Sequence, residues 1–187
     1  MAFSTNDLKN GITLDLENDG LWTVIEFQHV KPGKGGAFVR TKLRNVKTGS
    51  VLERTFNAGI RVEQAIVDRQ DMQFLYKEGD DYVFMNTSTY DQMNVPQTAL
   101  GEAADYLTEQ MVAQIALYHG EIIGVEIAAS VELRISQTEP GVQGDRVSGA
   151  RKPATLETGK VIQVPLFVDM GDKVKVDTRT GDYITRV

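Results

Sequence analysis

Apolar and polar side chains alternate along most of this chain, in short runs punctuated by glycine. Ile12-Thr13-Leu14-Asp15-Leu16 changes character at almost every residue, the two-residue period of a strand with one face buried. It runs into Asn18-Asp19-Gly20, a hairpin turn signal, and residues 22–28 supply the return strand. Residues 37–46 and 50–56 form a second such pair around Lys47-Thr48-Gly49, and 72–76 and 82–85 a third around Glu78-Gly79-Asp80-Asp81. Farther on, 131–135 and 174–177 alternate cleanly, and Asp-Thr-Arg-Thr-Gly, ending at Gly181, turns the chain into a last strand over 182–186. The apolar run 161–168 contains Pro165, which removes one ladder donor and predicts a sheet edge or a bulge. Only residues 98–111 carry a helical period, with Ala103, Ala104, Leu107 and Met111 on one face and Thr98 as N-cap. Residues 141–152 read as a mobile loop. The expectation is an all-β protein.

Charge adds a second pattern. The net charge of −6 is unevenly spread: 9 basic and 7 acidic residues over 1–63, 2 and 11 over 64–127, 9 and 8 over 128–187. These steps divide the chain into three units of 1–63, 64–127 and 128–187. Units so small bury only about 60% of their chain surface and are marginal alone, so at least two should pack together. A β unit of this size closes its edges best as an SH3-like or OB barrel.

Composition narrows the chemistry. With no Cys, disulfides, thiolate metal sites and a Cys nucleophile are excluded, and only His29 and His119 remain as imidazoles. No metal or cofactor is expected. No apolar run approaches the ~20 residues that span a bilayer, so the chain is read as soluble and cytoplasmic. His119 ends a predicted strand before Gly120, a position more often structural than catalytic. His29 abuts a loop that it is expected to buttress. No enzyme is read here.

That loop is the most unusual stretch: Lys31-Pro32-Gly33-Lys34-Gly35-Gly36, between two predicted strands. Pro32-Gly33 favours a type II turn with φ > 0 at Gly33. Gly35 and Gly36 strip side chains from the other flank, leaving Lys34 as the long side chain at the tip. One reading is a probe, a cation delivered into a narrow space. The commoner fate of such a lysine is a solubilising hairpin tip, and the residues alone leave both open. A phosphate-cradling P-loop is excluded, because its Lys follows glycine into a helix, whereas Lys34 precedes glycines and a strand.

Phe27-Gln28-His29-Val30-Lys31-Pro32-Gly33-Lys34-Gly35, with Ala37-Phe38 and Lys42-Leu43-Arg44, resembles bacterial members of the elongation factor P family. So do Tyr76-Lys77-Glu78-Gly79-Asp80-Asp81-Tyr82, Gly144-Asp145-Arg146, the run 152–159, Val164-Pro165-Leu166-Phe167 and Val176-Asp177-Thr178-Arg179-Thr180-Gly181. The resemblance implies a KOW/SH3-like domain followed by two OB-folds, in an L-shaped, tRNA-like arrangement. It implies a monomer that binds both ribosomal subunits between the P and E sites, contacts P-site peptidyl-tRNA and relieves stalling at polyproline stretches. Lys34 matches a position that many members modify, which implies a modifying enzyme as a further partner, and Lys31, Pro32, Gly33, Gly35 and Gly36 match its presenting loop. Lys42, Arg44, Tyr183 and Arg186 are expected near tRNA. Gly144, Asp145, Arg146, Val147, Ser148 and Gly149 match a loop that approaches the small subunit and the E-site codon.

The competing reading is a general single-stranded RNA-binding OB-fold protein. That class needs aromatic platforms on a basic groove, whereas aromatics here are 7% of residues and the middle segment is acidic. A small hydrolase would require turnover that depends on His119 or His29.

Overall fold

The computed structural model describes residues 1–141 and 149–187, and the described chain is built almost wholly of antiparallel strands. β1 (Ala2–Ser4), β2 (Thr13–Asp15), β3 (Leu21–Val30), β4 (Phe38–Asn45), β5 (Val51–Asn57) and β6 (Arg61–Gln64) form a sheet in the order β1-β6-β2-β3-β4-β5. β7 (Asp68–Glu78), β8 (Asp81–Asn86), β9 (Gln92–Pro96), β10 (Val112–Tyr118) and β11 (Glu121–Glu126) form a second, ordered β11-β10-β7-β8-β9. β12 (Ser130–Thr138), β13 (Arg151–Leu156), β14 (Val161–Pro165), β15 (Lys173–Asp177) and β16 (Tyr183–Arg186) form the third, ordered β14-β13-β12-β15-β16. The three predicted hairpins are β2–β3, β4–β5 and β7–β8. Pro165 ends β14 at the sheet edge, where its missing N–H costs no ladder bond.

Burial follows the alternation. In β4, Val39, Thr41 and Leu43 point inward while Arg40, Lys42 and Arg44 point out. The inward set joins Leu8, Leu14, Trp22, Val24, Phe56 and Val62 in one core. Thr41, the polar member of the set, is satisfied by donating its hydroxyl to Arg54 O at 2.6 Å. A register shift between Val24 and Glu26 in β3 reverses the faces beyond it, so that Glu26 and Gln28 look outward beside the β4 cations.

The chain forms two compact units. One comprises Met1–Arg69 with Ala116–Gly124, the other Gln70–Ile115 with Val125–Val187. Tyr106 explains the extent of the second. It leaves the middle segment to pack into a core with Leu133, Leu156, Val164, Val174 and Val176 of the third sheet. Around it, Thr158 Oγ1 donates to Asp105 O at 2.6 Å and Lys160 Nζ pairs with Asp105 at 2.9 Å.

Two expectations are corrected here. The helix over 98–111 is only one turn, Gln97–Leu100, followed by a 3-10 segment at Gly101–Tyr106. Gly101 takes φ +55, which ends the α-geometry, and Pro96, not Thr98, holds the N-cap position. Lys152, read as the end of an irregular loop, lies within β13 and is buried. Its ammonium donates to Glu139 O at 2.6 Å, the bond that makes such burial tolerable.

Candidate functional site

The Lys34 loop spans the gap between Val30 and Phe38, the last paired residues of β3 and β4. It is anchored on its far side by Ala58 N, which donates to Ala37 O at 3.0 Å. Residues 31–36 are all exposed. Lys34 has no hydrogen bond or ion pair with any described residue, so its ammonium is uncommitted among them. The positive φ of the loop falls at Gly35 (+112) and not at Gly33, so the expected type II turn over Pro32-Gly33 is not formed. A Cβ at Gly35 would lie 3.9 Å from Pro32 Cγ, and at Gly33 or Gly36 it would meet nothing within 4 Å. The glycines thus leave open space on both flanks of the lysine, and one of them supplies a backbone state that other residues rarely adopt.

From the base of that loop, β4 carries Arg40, Lys42 and Arg44 on its outer face, about 7 Å apart by strand geometry. All three are exposed, and none is in an ion pair among the described residues. Lys42 stands in register between Glu26 and Glu53, and Arg40 between Gln28 and Thr55. Glu26, Phe27, Gln28, Arg40, Lys42 and Glu53 border a shallow depression of about 210 Å³. Arg40 was absent from the sequence-predicted contacts, although it shares the alternation that marks Lys42 and Arg44. His29, in β3, is exposed, and its ring stands edge-on to Phe27 at 5.6 Å.

The remaining candidates lie elsewhere. Tyr183 is half-buried against the third core, while Arg186 is exposed, 5.3 Å above the ring of Phe167 and 3.4 Å from Asp172. A backbone N–H donated by Asp169 and the Arg186 guanidinium hold the Asp172 carboxyl below its ordinary range, the first being the stronger cause. Gly144, Asp145, Arg146, Val147 and Ser148 lie outside the described residues. Gly149 sits in a turn at φ +88. Among the described residues no cluster of His, Asp and Glu could hold a metal ion. His119 is exposed at φ +50, with its ring against Tyr118.

Comparison with known proteins identifies the sheets. The elongation factor P KOW-like domain matches residues 4–62, the OB domain 67–125 and the C-terminal domain 131–186. The chain is 61% identical over 183 residues to an elongation factor P of Acidothermus cellulolyticus, covering 98% of this chain and 97% of that protein. It is 60% identical over 184 residues to that of Streptomyces coelicolor, covering 98% of each. Among solved structures, translation initiation factor 5A of Methanococcus jannaschii superposes with a TM-score of 0.53 at 23% identity, covering 67% of this chain and 93% of that one. A relative of it from Naegleria fowleri gives 0.54 at 17% identity, covering 68% and 98%. These two likenesses establish shared fold. The class is therefore an all-β translation elongation factor of KOW-like and OB domains. The chain belongs to the elongation factor P family.

Proposed function

We propose that this chain binds the ribosome between the P and E sites as a monomer in the cytoplasm, contacts the P-site peptidyl-tRNA, and uses Lys34 to stimulate peptide-bond formation at consecutive prolines. The observation that carries the reading is the uncommitted Lys34 ammonium, raised on a glycine-framed loop at the end of a row of unpaired cations. Proline is an N-substituted nucleophile with a fixed φ, and a proline-rich nascent end can hold the reacting ester out of line. A group that steadies the end of the tRNA lowers the barrier by positioning. It need transfer no proton, so the role asks only for a long cation on a stiff mount. Arg40, Lys42 and Arg44 suit the phosphate backbone of the tRNA acceptor arm, because such contacts fix register without reading sequence. Tyr183 and Arg186 are proposed as further contacts to the P-site tRNA, and the 144–149 segment as a contact to the small subunit and the E-site codon.

Lys34 is also proposed as a target for a modifying enzyme, since its amine is the accessible nucleophile at the loop tip. Intact-mass measurement of the protein from its native host, with mapping of the Lys34 peptide, reads this directly. The central test is Lys34→Ala. Synthesis through Pro-Pro-Pro in a reconstituted system should fall sharply, while the unfolding temperature stays unchanged. Parallel loss of folding and activity would refute the probe mechanism.

A further inference from the structure

The third sheet carries a feature that neither the loop nor the β4 cations explain. Phe167 is 57% exposed, although the residue that follows it, Val168, is fully buried. A large aromatic ring left in water on an otherwise well-packed turn invites a partner. The backbone that carries the ring is well fixed. Val168 N donates to Pro165 O at 3.2 Å, closing the turn beneath it. Gly141 packs so tightly on the same turn that a Cβ there would lie 2.6 Å from Leu166 O. Asp169 N donates to Asp172 Oδ2 at 3.0 Å, and Gly171 N to Ile135 O at 2.9 Å, fixing the segment that leads into β15.

Over the ring on this fixed turn lies Arg186, its guanidinium carbon 5.3 Å from the centroid, with Asp172 Oδ2 steering it at 3.4 Å. The pair therefore sets a planar cation over one face of an aromatic ring, with both side chains exposed to solvent. Nucleobases stack on aromatic rings and on guanidinium planes alike, and a cation beside the ring favours the polyanion to which the base is attached. A purely apolar protein contact would desolvate the guanidinium and offer it nothing beyond its 3.4 Å pair with Asp172.

We propose that Phe167 and Arg186 form a stacking platform for one unpaired RNA base. The inference rests on the reading of the chain as a ribosome-bound factor and extends it to a residue and a mode of contact. Because the turn is fixed and Arg186 is already drawn over the ring by Asp172, less side-chain entropy is lost on engagement than for two free side chains.

The test compares the full-length protein with Phe167→Leu and Phe167→Tyr for affinity to ribosomes carrying P-site tRNA, across a series of salt concentrations. Leucine keeps the apolar surface but has no π-face, and tyrosine keeps the face. Stacking predicts a roughly tenfold or greater loss of affinity for Phe167→Leu, near-normal binding for Phe167→Tyr, and an unchanged salt slope for both. Arg186→Lys, which keeps the charge and loses the plane, should weaken binding at every salt concentration. Retained binding by Phe167→Leu would point to an apolar protein contact and overturn the platform, as would equal loss by both Phe167 variants. Failure of the unaltered chain to bind ribosomes at all would overturn the reading beneath it. Loss of stimulation at Pro-Pro-Pro with the Phe167 discrimination intact would leave the platform standing.

Discussion

Tyr118 Oη donates to Asp15 Oδ2 at 2.9 Å, joining residues 103 positions apart in the chain. Asp15 stands directly across from Glu63 in the β2–β6 ladder, a like-charge pairing that by itself weakens a sheet. The phenol supplies the donor that offsets it, while Asp15 Oδ1 accepts from Glu17 N at 2.9 Å. One hydroxyl thus ties the tip of the β10–β11 hairpin to the first sheet and solvates one carboxylate of the pair, while the N-terminal ammonium lies 3.2 Å from the other.

Removing that hydroxyl by Tyr118→Phe should cost about 1 kcal/mol, or about 2–4 °C in unfolding temperature for a chain of this size. The effect should depend on pH in a defined direction. The bond to Asp15, first, and then burial and the Asp15 and Glu63 charges hold the Tyr118 pKa above its ordinary value. The folded state therefore prefers the neutral phenol. Its contribution is complete below the ordinary tyrosine pKa of about 10 and is lost as pH rises through the raised value. Denaturant unfolding at pH 8 and pH 11 checks this: the gap between the two proteins should be smaller at pH 11 than at pH 8, and an equal gap at both values would contradict it.

Gly35 is the loop glycine that matters most for conformation, because its φ of +112 is one that side-chain-bearing residues rarely take. Gly35→Ala should shift the loop and reduce Lys34-dependent synthesis through Pro-Pro-Pro, with less than about 1 kcal/mol lost in overall stability. Gly33→Ala and Gly36→Ala should do little, since an added Cβ meets nothing within 4 Å at either site. Comparable loss of synthesis in all three variants would show that bulk, not backbone geometry, governs the loop.

Strand alternation made the sheets legible in advance, because strands such as β4 and β10 alternate inside and outside along their length and the turns between strands carry glycine. The candidate loop stands out locally for the same reason, a lysine among glycines ahead of Lys42 and Arg44, whereas Arg40, on the same alternation, was passed over. What local pattern could not reveal was set by tertiary packing. The helical period over 98–111 is real as a pattern, but Gly101 breaks it and Tyr106 is drawn into the third core. Lys152 looked like a loop residue because nothing near it in sequence signals that its ammonium will find the Glu139 carbonyl. Phe167 was hidden inside an apolar run, where only burial separates it from Val168. The Tyr118–Asp15 bond spans too much chain for any local signal.

Tyr106 should be the largest single contributor among the side chains that link the middle segment to the third sheet. It is 2% exposed within that core, with Lys160 Nζ 5.0 Å above its ring. Tyr106→Ala should cost about 3 kcal/mol or more, as large aromatic truncations in cores do. Differential scanning calorimetry should show a lowered transition or the separation of one transition into two. An unaltered single transition would mean that the Asp105–Lys160 pair and the Thr158 bond suffice to hold this packing.

The β4 cations make a prediction that separates charge from fold. Arg40, Lys42 and Arg44 are solvent-exposed on a strand whose inward residues carry the packing, so replacing any of them by alanine should change stability by less than about 0.5 kcal/mol. If they neutralise phosphates, each replacement should weaken ribosome binding and lower the slope of log affinity against log salt by about 1. The double replacement of Arg40 and Arg44 should lower it by about 2, because charges two pleats apart contact separate phosphates. Lys42 should give the smallest effect of the three. It stands in register between Glu26 and Glu53, and those carboxylates cancel part of its field. A reversed ranking, with Lys42→Ala the most damaging, would mean that the depression beside it, not the row of cations, is the contact surface.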